Sequence, residues 1–156
     1  MRIQMLAVGQ KMPAWVNDGF ETYAQRMPSD MPLELIELPM AKRVKNKSTD
    51  QYLEAEAQSI LKKLGNNHHI VVLDVKGKNH TTESLASRLS YWQTVGKNIA
   101  LIIGGPDGLS DKITSMAQEK WSLSNLTLPH PMVRVIISEA IYRAWTVTNN
   151  HPYHRA

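Results

Sequence analysis

The feature that most constrains this chain is a regular alternation of short apolar runs with helical patterns from one end to the other. Parallel strands need a crossover long enough to hold a helix, so this alternation predicts an α/β fold: a parallel sheet with helices on both faces. Ile3–Val8 reads as the first strand. Pro13 then opens a helix, in a first turn where its missing N–H costs nothing. Val16, Phe20, Tyr23, Ala24 and Met27 recur at spacings of three and four, marking one buried face. Pro28 and Pro32 close that segment, and Leu33–Leu38 is a strand stopped by Pro39. Ser48 and Gln51 have the form of a capping box, which predicts a helix from there to Leu64 with Gly65 as a left-handed stop. The apolar run at residues 70–75, broken by Asp74 alone, suits a strand covered on both faces. Thr81 or Thr82 caps a helix ending at Gly96, and residues 99–103 form the next buried strand. A short helix from Ser110, a weak strand around residues 121–123 and a long last helix from Pro131 complete the pattern.

The last helix is apolar over much of its circumference. Val133, Ile136, Ile137, Ala140, Ile141 and Ala144 make one face, which Met132, Val135, Tyr142 and Trp145 widen. Such a helix is either central in the fold or packed against a second copy, and a homodimer is the reading preferred here. Arg134 and Arg143 on the same helix read as a solvated surface, with contact to RNA or to a cofactor carboxylate as the alternative. No internal repeat or linker interrupts the 156 residues, so residues 1–156 are expected to form one domain. The chain has no cysteine, which excludes disulfides, thiolate metal sites and a cysteine nucleophile. The stretch Ile3–Val8 is too short for the apolar part of a secretion signal, and no run approaches the length of a membrane span. A cytoplasmic protein without membrane contact is expected. Its formal charge of +4 suits an anionic partner without establishing one.

Three segments carry candidate chemistry. In residues 101–109 the glycines Gly104, Gly105 and Gly108 follow a buried strand and precede a helix start. Glycine lets a backbone approach a ligand closely, and ligands of open α/β sheets sit beyond the carboxyl ends of strands. The bland alternative is a tight turn. The glycine spacing fits neither a dinucleotide fingerprint nor a P-loop, and Pro106 removes an amide a phosphate cradle would use, so a pyrophosphate ligand is disfavoured. Residues 121–131 alternate leucines with small polar groups and stop at Pro129-His130-Pro131. This is either an edge strand with a rigid turn or an apolar wall with backbone donors and acceptors, suited to an adenine ring. The terminus, residues 148–155, places His151, Tyr153, His154 and Arg155 directly after the apolar helix. Read blandly it is a solvated tail; read as a site, it has the groups that stack on and hydrogen-bond an unstacked base. A third reading, metal binding by His130, His151 and His154, lacks a carboxylate or thiolate at ligand spacing. Lys42-Arg43-Val44-Lys45-Asn46-Lys47 is the one dense basic run, either a solvated loop or a phosphate contact.

Taken in order, these segments resemble the RlmH family of SPOUT-class RNA methyltransferases. The likeness covers residues 7–13, 103–109, 126–131 and 150–155, nearly end to end, with Asp107 standing where some relatives carry glutamate. The resemblance implies a SPOUT fold with a carboxyl-terminal trefoil knot, a homodimer, and transfer of a methyl group from S-adenosylmethionine to N3 of a pseudouridine in large-subunit (23S) ribosomal RNA of the assembled ribosome. It further implies cofactor contacts at Leu73, Gly104, Leu123, Ser124, Asn125, Leu126, Thr127 and Leu128, and no metal. A methyl donor that brings its own electrophile leaves the protein mainly to position the base and manage the N3 proton. Tyr153, His154 and Arg155 are then the expected target-base pocket, with His154 as proton acceptor and Arg155 stabilising the imide anion. Two other classes stay open at this point: a ribosome-binding assembly protein without turnover, and an α/β enzyme acting on small molecules.

Overall fold

The computed structural model describes residues 1–154. Five strands run parallel in one sheet: β1 (Ile3–Val8), β2 (Leu33–Leu38), β3 (His68–Asn79), β4 (Asn98–Ile103) and β5 (Glu119–Ser122), in the order β2-β1-β4-β3-β5. The connecting helices are α1 (Ala14–Ala24), α2 (Thr49–Lys63), α3 (Thr82–Val95) and α4 (Asp111–Met116), and α5 (His130–Thr148) follows β5.

Period-two alternation divides each strand between two cores. Ile3, Met5 and Ala7 of β1 join Ile99, Leu101 and Ile103 of β4 on one face, beneath Phe20 of α1, Leu89 and Trp92 of α3 and Ile137 and Ile141 of α5. Leu6 and Val8, with Ala100 and Ile102, face the other way onto Ala57 and Ile60 of α2 and Ile113 of α4. Both faces of the sheet are covered, as continuous apolar runs require, so helices lie on both sides as predicted.

The predicted boundaries differ from the structure in instructive places. The first helix ends at Ala24; Arg26 and Met27 donate their amides to Tyr23 and Ala24, three residues back, in a tight turn that still buries Met27. Gly65 is not the left-handed stop of α2: Leu64 is already extended at φ −76° and ψ 120°, and the imidazole Nδ1 of His68 accepts the Gly65 amide instead. Gly96 does stop α3 in the left-handed region, at φ +71°. Ser48 caps α2 as expected, and Thr81, of the two threonines offered, caps α3, both through reciprocal capping boxes; Ser110, where the short helix was expected to begin, is the cap of α4. Strand β3 runs past Val75 to Asn79, because both Leu73 and Lys78 pair with Trp121 and the residues between them leave the ladder. Arg134 is not a solvated surface group. It is fully buried, donating to Glu37 Oε2 at 2.6 Å and to the Gly9 carbonyl at 2.8 Å, and it thereby ties α5 to the ends of β1 and β2. Arg143 pairs with Glu139 one turn away on the same helix.

The edge strand β5 has only one neighbour and is held by a polar node. Glu119 accepts from Arg88 Nε (2.9 Å) and Nη2 (3.0 Å), Trp92 Nε1 (2.8 Å), Trp121 Nε1 (3.1 Å) and His69 Nε2 (2.6 Å). Facing a carboxylate, His69 must carry its proton on Nε2. The indoles of Trp92 and Trp121 stack at 5.4 Å between centroids. Burial works against the carboxylate, but the donors from Arg88, Trp92, His69 and Trp121 outweigh it and bring Glu119 down to about 2. A group depressed in the folded state stabilises fully above its unfolded value and loses that contribution as pH falls. Acid titration followed by tryptophan emission is therefore expected to show weakening of the fold as pH drops below about 4.5 toward about 2. Glu119→Gln, which sets an amide donor against these donors, should cost about 3 kcal/mol in chemical denaturation and flatten that acid limb.

Candidate active site

All five strands exit at the same edge of the sheet, and there the loop after β4 and the loop after β5 enclose a cleft of about 560 Å³. That volume suits a nucleoside-sized ligand. Leu73 and Asp74 of β3 form one wall, Gly104 to Leu109 the floor and rim, and Leu123, Ser124 and Leu126 to His130 the opposite wall. The glycine loop folds on itself: the Gly108 amide donates to the Gly105 carbonyl at 3.0 Å. A Cβ on Gly104 would stand 2.5 Å from the Gly108 carbonyl oxygen, so a close approach of backbone to backbone requires glycine there. The loop after β5 is braced by Ser122, whose hydroxyl donates to the Ser124 carbonyl, and by Ser124, whose hydroxyl oxygen accepts the Leu126 amide.

Of the residues expected at a cofactor, Leu73, Gly104, Leu123, Ser124, Leu126, Thr127 and Leu128 line this cleft. Asn125 is not among its lining residues; its side-chain oxygen accepts from Asn79 Nδ2 at 3.3 Å and ties the loop to β3. Asp74, Trp121, His130 and Val133 line the cleft as well. Asp74 had a signal in the sequence, as the one charge in an apolar strand. His130 opens α5, and its Nδ1 is buried without a partner among the described residues; burial and the nearby Arg134 lower its pKa, keeping the imidazole neutral.

Residues 149–154 do not line the cleft of their own chain. After α5, the tail turns at Asn150 (φ +52°), and the His151 amide donates to the Thr146 carbonyl. The Tyr153 ring packs on Tyr142 at 4.7 Å between centroids and under the Arg143 guanidinium, while its hydroxyl donates to Glu139 Oε1 at 3.1 Å. Burial first, then the hydrogen bond to Glu139 and that carboxylate's charge, push Tyr153 up to about 12. The phenol therefore stays protonated at neutral pH. His154 Nδ1 is buried and has no partner among the described residues. Arg155 lies outside the described residues. Among the described residues no three His, Asp or Glu side chains come together as a metal site, so His130, His151 and His154 do not form one here.

A parallel sheet with a glycine loop and a leucine loop sharing one cleft at its carboxyl edge defines an α/β ligand-binding protein, most apt for a base-bearing ligand. A family model described as "Predicted SPOUT methyltransferase" matches residues 1–154, and the chain belongs to that family of methyltransferases. It is 51% identical over 155 residues to a Hahella chejuensis protein named "Ribosomal RNA large subunit methyltransferase H", covering 99% of both chains. It is 50% identical over 155 residues to a Saccharophagus degradans protein of the same name, covering 99% of this chain and 100% of the relative. The methyltransferase family read from the sequence motifs is the family found. Among the described residues no helix is long and apolar enough to cross a membrane.

The crowding at Gly104 yields a test. Gly104→Ala must displace the Gly108 carbonyl and so deform the cleft floor; a nucleoside-sized ligand that the parent chain binds there by calorimetry should bind at least tenfold more weakly. Because the loop lies at the sheet edge, the thermal midpoint should fall by only a few degrees, the shift expected for about 1 kcal/mol.

Proposed function

We propose that this chain is a homodimeric, cytoplasmic enzyme that methylates N3 of a pseudouridine in large-subunit (23S) ribosomal RNA on the assembled ribosome, with S-adenosylmethionine as donor. The observation that carries this reading is the leucine-walled cleft at the sheet's carboxyl edge, in a chain about half identical along its length to relatives named for ribosomal RNA methylation. The residues present fit the donor. Leu73, Leu123 and Leu128 offer apolar walls for adenine, the Gly104 backbone admits close approach, and Asp74 and Lys76 supply opposite charges for an amino acid's ammonium and carboxylate. When bound, S-adenosylmethionine supplies an electrophilic methyl group. Residues 123–128 would hold it, Asn125 by anchoring that loop to β3. The knot implied by the family resemblance is part of this proposal; it would bring the two cleft-forming loops together.

The chain's own task is to present a base nitrogen and take away its proton. Tyr153, His154 and Arg155 form the target-base pocket in this reading. Tyr153, protonated and fixed by Glu139, stacks or donates and does not accept the proton. His154 carries a ring nitrogen without a partner among the described residues and is the acceptor; Arg155 stabilises the imide anion. Tyr153 rests beside Glu139, six residues beyond Val133 and so roughly 9 Å along the helix from the cleft wall. A second copy is what would bring a tail to a cleft. Trp15 on α1 (53% exposed) and Met132 on α5 (38% exposed), near the Gly19–Val135 contact between these helices, offer apolar surface for it.

His154→Ala, or removal of residues 151–156, should cut methyl incorporation into purified ribosomes by about 10²–10⁴-fold. Donor affinity by calorimetry and the dimer's elution volume should be unchanged. Full-rate transfer by the truncated dimer would defeat the assignment.

A further inference from the structure

The basic run at residues 42–47 is pinned to α2 and tied to the glycine loop beside the cleft. The Tyr52 hydroxyl, buried on α2, accepts the Val44 amide at 2.7 Å and donates to the Val44 carbonyl at 2.6 Å, pinning the loop at its middle. Arg43 lies over the Tyr52 ring at 4.2 Å, is 3.6 Å from Glu56, and pairs with Asp107 of the glycine loop. Glu56, itself buried, accepts the Ala41 amide. Arg43 thus has its charge answered inside the protein and joins this loop to the cleft rim.

Its neighbours are different. Lys42, Lys45 and Lys47 are exposed and make no ion pair among the described residues. Lys76, on the cleft, and Lys78 are likewise exposed and unpaired on the extension of β3. Because the sheet is parallel, the exits of β2, β4 and β3 share one edge, so these two groups of lysines flank the glycine loop from either side. The nearest carboxylate on the β3 side is Asp74, whose oxygen accepts the Lys76 amide. Asp107, on the other side, is taken up by Arg43.

We infer that Lys42, Lys45 and Lys47 form a phosphodiester-binding surface that seats an RNA backbone beside the cleft, held in place by Arg43 and Tyr52. This rests on the proposed action on ribosomal RNA and specifies where that RNA is gripped. A pinned loop keeps its cations in fixed register, whereas free lysines would lose side-chain and backbone entropy on binding. Each phosphate neutralised contributes about 0.7–0.9 to the slope of log affinity against log salt concentration.

The test measures binding to purified bacterial ribosomes across a potassium chloride series. The variant Lys42→Gln/Lys45→Gln/Lys47→Gln is compared with a control of equal charge at the opposite edge, Lys62→Gln/Lys63→Gln/Lys97→Gln. The loop variant should lose about two units of salt slope and at least tenfold in affinity near 0.1 M salt, with calorimetric affinity for S-adenosylmethionine unchanged. The control should match the parent. Since the chain has no cysteine, Lys45→Cys carrying a photo-crosslinker gives a single label, and it should join to RNA. Equal losses in both variants, no loss in the loop variant, or crosslinks to ribosomal protein alone would each overturn the inference. If the unaltered chain binds and methylates ribosomes while any of these holds, only the surface falls. If it binds no ribosome at all, the proposed substrate falls with it.

Discussion

One carboxylate governs the part of this fold where a ligand can sit. Glu119 gathers donors from β3, α3 and its own strand, and without it β5 would be a four-residue edge with a single neighbour. The loop from Leu123 to Pro129 grows from that edge and forms the cleft's leucine wall. Its position is therefore inherited from an electrostatic node, with the buried Trp92–Trp121 stack packed beside it. At the other end of the sheet Arg134 does the complementary work, holding the start of α5 to Gly9 and Glu37. Both devices use charge inside the fold to fix loops that carry little apolar burial of their own.

Much of the architecture was readable from residues because local and global signals agree. Strands β1 and β2 and the caps at Ser48, Thr81 and Ser110 follow from alternation and hydroxyl placement alone. The failures share a cause. Gly65 looks like a helix stop, but His68 offers the chain another partner for its amide; the length of β3 depends on a second pairing with Trp121 that lies far away in sequence. Arg134 looks like any helix-surface arginine, because its two acceptors come from β2 and the loop after β1. Pattern reading sees neighbours along the chain and is blind to partners brought by the fold.

The candidate site divides the same way. The glycine and leucine loops were visible as segments, and the structure joins them in one cleft. That Asn125 turns to Asn79 and that His130 enters the wall could not be read from spacing, since both depend on the path of the loop after β5. The tail's aromatic and basic groups were conspicuous in sequence, yet the placement of Tyr153 on Tyr142 and Glu139 emerged only from the fold.

The backward fold of that tail has a genetic meaning if the proposed shared site holds. A chain lacking its last residues keeps a sound cleft, and a chain with a ruined glycine loop keeps a sound tail. Neither would work paired with its own kind. Co-expressed, they would form mixed pairs in which one cleft meets one intact tail, so two inactive alleles would restore part of each other's loss.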